Sequence, residues 1–173
     1  MKRHCAEDIK QEKELKLELS QSGAGSLLKK NPFGSSPTIL QQRSIYFDTP
    51  GWDLSKRGLS LRIRQSGNEG IQTVKAGDDA EAGSFTREEW ERPVAGDTPM
   101  LDDPQIRDLL AGAGPKLAPL FEVHVKRHRW NVTDGDATIE VALDVGKVVA
   151  ADREAPLCEK EGGLAESAVC TRP

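Results

Sequence analysis

The sequence predicts a mainly β domain of antiparallel strands with few helices, arranged as a barrel or a sandwich. Apolar and polar residues alternate with period two over most of the chain. Turn-forming pairs such as Gly67-Asn68 and Asp134-Gly135 separate the alternating runs. Helical signals are confined to two short stretches, near Leu27 and after Asp103.

The elements follow in order. Glu12 to Leu19 alternates charge with leucine and reads as a strand. Ser20 to Pro37 is rich in Gly and Ser, with one or two helical turns around Leu27-Leu28-Lys29-Lys30. Strands are expected at Ile39 to Asp48, Gly58 to Gln65 and Gly70 to Lys75. Gly77 to Gly83 is a polar loop, and Ser84 to Val94 another strand. Asp102 or Asp103 can cap a helix over Pro104 to Leu110, because Pro is tolerated in the first turn; Gly112, Gly114 and Pro115 end it. Strands resume at Leu120 to Val132 and return over Ala137 to Leu143. Asp144-Val145-Gly146 is expected to bend the chain into Lys147 to Ala151. Pro156 to Glu161 starts a last strand, cut short by Gly162-Gly163.

At 173 residues the chain fits one domain able to bury a sizeable core. Charged residues make up 30% of it, yet 24 Lys and Arg nearly balance 28 Asp and Glu. That balance argues against bulk attraction to nucleic acid or an acidic membrane and allows both signs to gather in one site. No apolar run is long enough to cross a bilayer, and residues 1–8 lack the apolar stretch of a signal peptide. Cys5, Cys158 and Cys170 read as reduced thiols of a cytoplasmic protein, with no metal-ligand spacing among them.

Alternate residues on a strand share a face, and that rule sorts the charges. Glu12, Glu14 and Lys16 oppose Leu15, Leu17 and Leu19. Arg62 and Arg64 oppose Leu59, Leu61 and Ile63. Arg87 pairs with Glu89, Arg127 with Arg129, and Glu159 with Glu161. Glu140 and Asp144 oppose Ile139, Val141 and Leu143. Any one of these strands reads as an ordinary solvent face. Together, runs of Glu on some strands and Arg on others fit a barrel with a polar lumen and an aliphatic outside covered by helices. Such a lumen suits a triphosphate, with roughly four negative charges by ordinary phosphate ionisation. Arg forks and Lys ammonium groups match its oxygens, and carboxylates tolerate it only across a hard cation such as Mg²⁺ or Mn²⁺.

The ordered motifs resemble one family. Glu12-x-Glu14-x-Lys16 resembles the E-x-E-x-K signature of CYTH proteins, the triphosphate tunnel metalloenzymes. Tyr46-Phe47-Asp48-Thr49-Pro50, Gly58 to Arg64, Thr73-Val74-Lys75 and Arg87 to Glu91 resemble its next segments in order. Arg127 to Trp130, Ile139 to Gly146 and Pro156 to Glu161 complete the series, with Lys160 where the family has an apolar residue. The closest likeness is to the bacterial inorganic triphosphatase branch.

The resemblance implies an α+β, mainly β fold: an antiparallel eight-stranded tunnel-like barrel with a few flanking helices over residues 9–161. The family's cationic closing segment has no counterpart after Glu161, so the barrel is expected to be incomplete at its C-terminal end, with 1–8 and 162–173 as disordered tails. Carried over residue by residue, Lys16, Arg62, Arg64 and Lys75 are catalytic and hold the substrate together with Arg87 and Arg127. Glu12, Glu14, Asp144, Glu159 and Glu161 hold Mg²⁺ or Mn²⁺. Glu89 and Glu140 steady neighbouring cations. The implied function is metal-dependent hydrolysis of inorganic triphosphate to diphosphate and phosphate. The alternatives are a triphosphate- or polyphosphate-binding module without turnover, an adenylate cyclase or a thiamine triphosphatase. The partners expected are a small-molecule triphosphate, with no nucleic acid and no membrane, for a monomer or weak homodimer.

Overall fold

A computed structural model describes residues 14–77, 88–135 and 137–165. Among them eight strands form one antiparallel sheet: β1 (Glu14–Glu18), β2 (Thr38–Asp48), β3 (Leu59–Ser66), β4 (Glu69–Ala76), β5 (Glu88–Pro93), β6 (Ala118–Asp134), β7 (Ala137–Ala150) and β8 (Arg153–Ala165). The order across the sheet is β1-β8-β7-β6-β2-β3-β4-β5. The eight antiparallel strands are as expected. Among the described residues the ladder is linear, with β1 and β5 at its ends.

Two helices lie between strands, α1 (Gln21–Lys30) and α2 (Pro104–Leu110). Helix α1 is longer than the one or two turns expected. Ser20 caps it by accepting the Gly23 N–H at 3.1 Å, and Asn31 closes it in the left-handed region. Two glycines each weaken it by roughly 1 kcal/mol. Packing compensates: Ala24, Leu27 and Leu28, spaced for one helical face, sit with Trp130, Val141 and Leu143. Helix α2 has the predicted bounds, and its cap is Asp103, which accepts the Gln105 N–H at 2.8 Å.

Alternation divides the sheet. Ile45, Phe47, Leu61, Ile63 and Val74 form one core cluster with Ile106 and Leu110 of α2. Trp130, Val141 and Leu143 form the other, under α1. Registers across β2, β3, β6 and β7 put both clusters on the same side of the sheet. One face is therefore covered by helices, and the opposite face is left to the intervening residues.

Two expectations fail. The chain does not bend at Asp144-Val145-Gly146, because β7 runs through it and pairs continuously with β6 and β8. Gly146 is there for proximity: a Cβ would lie 1.9 Å from the His124 carbonyl oxygen on β6. Nor does the last strand stop at Gly162-Gly163. Those glycines pair with Leu15 and Glu14 of β1 on one side and Val141 and Glu140 of β7 on the other. Hydrogen bonding on both edges holds them in the sheet, so the expected tail at 162–173 fails over 162–165. Residues 1–8 and 166–173 lie outside the described residues.

Loops are tied down by buried polar groups. Asp48 accepts from the Thr49, Leu54 and Ser55 backbone N–H groups and from the Ser55 hydroxyl, fixing the 3₁₀ turn Ser55–Arg57. Burial pushes its carboxyl up, but these hydrogen bonds outweigh burial and hold it below the usual range. Buried Gln72 clamps Met100 as a strand partner would, accepting its N–H at 2.7 Å and donating to its carbonyl at 3.0 Å.

Candidate functional site

Among the described residues the face opposite α1 and α2 is free of helices, and this helix-free face carries the predicted charges. On β3, Arg62 and Arg64 point away from Leu61 and Ile63, which are fully buried on the other side. In register, Arg62 lies between Tyr46 of β2 and Thr73 of β4, and Arg64 between Ser44 and Ile71. Arg62 Nε is buried and has no hydrogen-bond partner among the described residues. Lys75 of β4 lies opposite Glu89 of β5, its Nζ 3.0 Å from the carboxylate. The pairing expected of Glu89 is thus present. Next to it the Thr73 hydroxyl donates to Glu91 at 3.0 Å.

A second charged group lies across β6, β7 and β8. Arg127 grips Asp144 in a two-pronged pair, with Nε and Nη2 donating at 2.8 and 2.6 Å. Their side chains are only 15% and 8% exposed, which makes this a largely buried ion pair. Asp144 is also the register partner of Glu159, and Glu159 of Glu18 on β1. One rung further, Arg129 lies 3.7 Å from Glu140 in a more exposed pair.

Strand β2 separates the two groups. Arg127 stands opposite Leu40, while Arg64 stands opposite Ser44. Four residues along a strand are about 13 Å, at roughly 3.3 Å per residue. Between the groups the same face carries Ser44 and Gln42 on β2, opposite Val123 and Val125 on β6, and beside Arg62 the Tyr46 and Phe121 rings stack with centroids 4.6 Å apart.

The structure therefore brings Arg62, Arg64 and Lys75 to adjacent strands, and Arg127, Asp144 and Glu159 to another adjacent set. Glu14, Lys16 and Glu161 are fixed in backbone register only: Lys16 pairs with Glu161, and Glu14 with Gly163. Glu12 and Arg87 lie outside the described residues. Among the described residues no three His, Cys, Asp or Glu side chains come together closely enough to hold a metal ion. The donor chemistry at the β1–β8–β7 rung is nonetheless that of a hard cation, with carboxyl-bearing residues on three neighbouring strands. Sequence reasoning did not assign Glu91, Thr73 or the Tyr46–Phe121 stack. Glu91 shares Glu89's face by alternation, which was a usable signal; the stack depends on register between distant strands.

A different network occupies the helix-bearing face. Arg43 donates to Glu122 at 2.8 and 2.6 Å and to Asp97 at 2.6 Å, and His124 lies 2.6 Å from Glu122. The Arg43 hydrogen bonds chiefly, against burial and with help from His124, bring the Glu122 carboxyl down to about 2. This network borders a 760 Å³ groove between the two helix-covered clusters, on the side away from Arg62 and Arg127.

A family model for the CYTH domain matches residues 10–167. The chain belongs to the CYTH domain family. The inorganic triphosphatase of Haemophilus influenzae is 32% identical over 133 residues, covering 72% of this chain and 37% of that protein. The chain thus spans little more than a third of that relative's length. Two solved structures share the CYTH fold. A Hippeastrum protein, described as a candidate adenylyl cyclase with dominant triphosphatase activity, is 21% identical with a TM-score of 0.62, over 88% of this chain and 79% of its own. A candidate adenylate cyclase from Bacillus halodurans is 18% identical with a TM-score of 0.61, over 89% of this chain and 82% of its own. Among the described residues no helix is long and apolar enough to cross a membrane.

Proposed function

We propose that this CYTH domain binds inorganic triphosphate on its helix-free face and hydrolyses it, in the presence of Mg²⁺ or Mn²⁺, to diphosphate and phosphate. The observation that carries the reading is Arg62: a guanidinium whose buried Nε lacks an acceptor among the described residues, flanked by Arg64 and with Lys75 on the next strand. Buried donors are normally satisfied, and an anion supplies the acceptor. The inorganic triphosphatase that is 32% identical supports the choice of anion.

In this reading Arg62, Arg64 and Lys75 bind and orient the phosphate chain, and Glu89 holds the Lys75 ammonium in place. Lys16, Arg87 and Arg127 add cationic contacts. Asp144, Glu159 and Glu161, with Glu12 and Glu14, hold the cation, which supplies charge neutralisation for in-line attack by water. Glu140 steadies Arg129 at the rim. The linear ladder leaves the two charge groups offset by about 13 Å along the strands, and the reading requires the sheet to curl around this face so that tilted, staggered strands bring both groups to one ligand.

Calorimetric titration with tripolyphosphate, ATP and thiamine triphosphate, with and without Mg²⁺, tests the assignment. Tightest binding of tripolyphosphate, lost without Mg²⁺, is the expected result. Preference for ATP moves the function to an adenylate cyclase, and binding without phosphate release makes the domain a binding module.

A further inference from the structure

We propose that the stacked rings of Phe121 and Tyr46 form a positioning wall that holds the Arg62 guanidinium ready for the phosphate chain; the inference rests on the triphosphate reading above. Lys75 and Arg127 are each held by a carboxylate, Glu89 and Asp144. A carboxylate that steadies a cation also competes with an anion for its donors. Arg62 makes no hydrogen bond or ion pair among the described residues, and its Nε is buried. A long side chain without such partners keeps its rotamer freedom unless packing restricts it, and a ligand that must order it loses affinity.

The rung through Arg62 supplies that restriction. It runs Phe121, Tyr46, Arg62, Thr73 and Glu91 across five adjacent strands of the helix-free face. Directly opposite residues keep their Cβ atoms about 5 Å apart, so Tyr46 and Thr73 flank the Arg62 side chain closely. Thr73 is buried, and its hydroxyl donates to Glu91 at 3.0 Å, which fixes that flank. Tyr46 is fixed from behind, its ring stacked on Phe121 with centroids 4.6 Å apart and planes 15° from parallel. The β2–β6 register shifts at this point: Tyr46 pairs with Phe121 and Phe47 with Pro119, leaving Leu120 as the extra residue of a bulge. A bulge bends its strand and re-aims the side chains beside it, here Phe121. An aromatic wall restricts a guanidinium without taking its N–H groups, so Arg62 is ordered while its donors stay open to an anion.

A double-mutant cycle tests the wall, read as affinity for imidotriphosphate, a triphosphate resistant to hydrolysis, with Mg²⁺ present. Phe121→Leu keeps an apolar side chain and removes the ring; it is expected to weaken binding about fivefold, within the range of couplings between residues that share a partner. In an Arg62→Ala background the same substitution is expected to change affinity by less than about twofold. Phe121→Tyr keeps the ring and should bind as the unmodified chain does. No loss in Phe121→Leu, an equal loss in both backgrounds, or a loss in Phe121→Tyr as large as that in Phe121→Leu overturns the wall while leaving the triphosphate reading intact. If Phe121→Leu does not fold, Tyr46→Leu runs the same cycle from the middle of the rung: a loss confined to the chain that retains Arg62 supports the proposal, and an equal loss in both backgrounds, or none, overturns it. Failure of the unmodified chain to bind imidotriphosphate, or undiminished binding in Arg62→Ala, removes the triphosphate reading and the wall together.

Discussion

Leu61 and Arg62 are neighbours in sequence and lie on opposite faces of β3, Leu61 fully buried beneath α2 and Arg62 on the helix-free side between Tyr46 and Thr73. The two residues separate fold from function. Leu61→Ala should cost about 2–5 kcal/mol of stability, the scale of an emptied core position, with triphosphate affinity retained in the folded fraction. Arg62→Ala should leave the melting temperature nearly unchanged and weaken triphosphate binding by about 1.5–3 kcal/mol, the scale of a charge-assisted hydrogen bond. Arg62→Lys should restore only part, since an ammonium lacks the fork. Urea melts and calorimetric titrations of the three variants check this; matching behaviour of Leu61→Ala and Arg62→Ala in both assays contradicts the division of faces.

Acid should loosen the fold through Asp48 and Glu122. Both carboxyls are held below their ordinary values in the folded chain. A depressed folded pKa contributes stability above the unfolded pKa, and that contribution is lost as pH falls through the folded one. For Glu122 the window runs from 4.5 down to about 2. Asp48→Asn keeps the shape and removes the charge, so it should lower stability at neutral pH and flatten the acid limb of a stability-against-pH curve. An acid limb as steep as that of the unmodified chain would show that Asp48 does not contribute to it.

Two glycine substitutions should act with opposite sign. A Cβ at Gly25 in α1 meets no atom within 4 Å, so Gly25→Ala should stabilise by about 0.5–1 kcal/mol through backbone entropy and helix propensity. A Cβ at Gly146 would sit 1.9 Å from the His124 carbonyl oxygen, so Gly146→Ala must push β6 and β7 apart. A loss of about 1–3 kcal/mol or more is expected, the scale of overpacking. Differential scanning fluorimetry on both variants distinguishes these outcomes.

These particulars show what was legible in the sequence. The faces of 59–64 and 139–145 could be read because a half-buried strand imprints a period of two. Helix α1 was underestimated because Gly23, Gly25 and Ser26 obscure the Ala24–Leu27–Leu28 stripe, and Trp130, the partner that favours the helix, is distant in sequence. Gly146 and Gly162-Gly163 were mistaken for breaks because glycine marks both a turn and a close backbone approach, and only the neighbouring strand decides which. The Arg127–Asp144 pair was out of reach for a related reason. Each residue was assigned its own ligand, Arg127 a phosphate and Asp144 a metal, while the register of β6 against β7 places them in each other's grip.

The central claim is that this face splits inorganic triphosphate with the help of a divalent cation. Phosphorus-31 nuclear magnetic resonance of tripolyphosphate incubated with the full chain and Mg²⁺ tests it most directly. The account predicts that the triphosphate signals give way to equal amounts of diphosphate and phosphate, that excess chelator stops the conversion, and that Arg62→Ala slows it severely. Tripolyphosphate that stays intact with Mg²⁺ present, or conversion that continues undiminished in excess chelator, contradicts it.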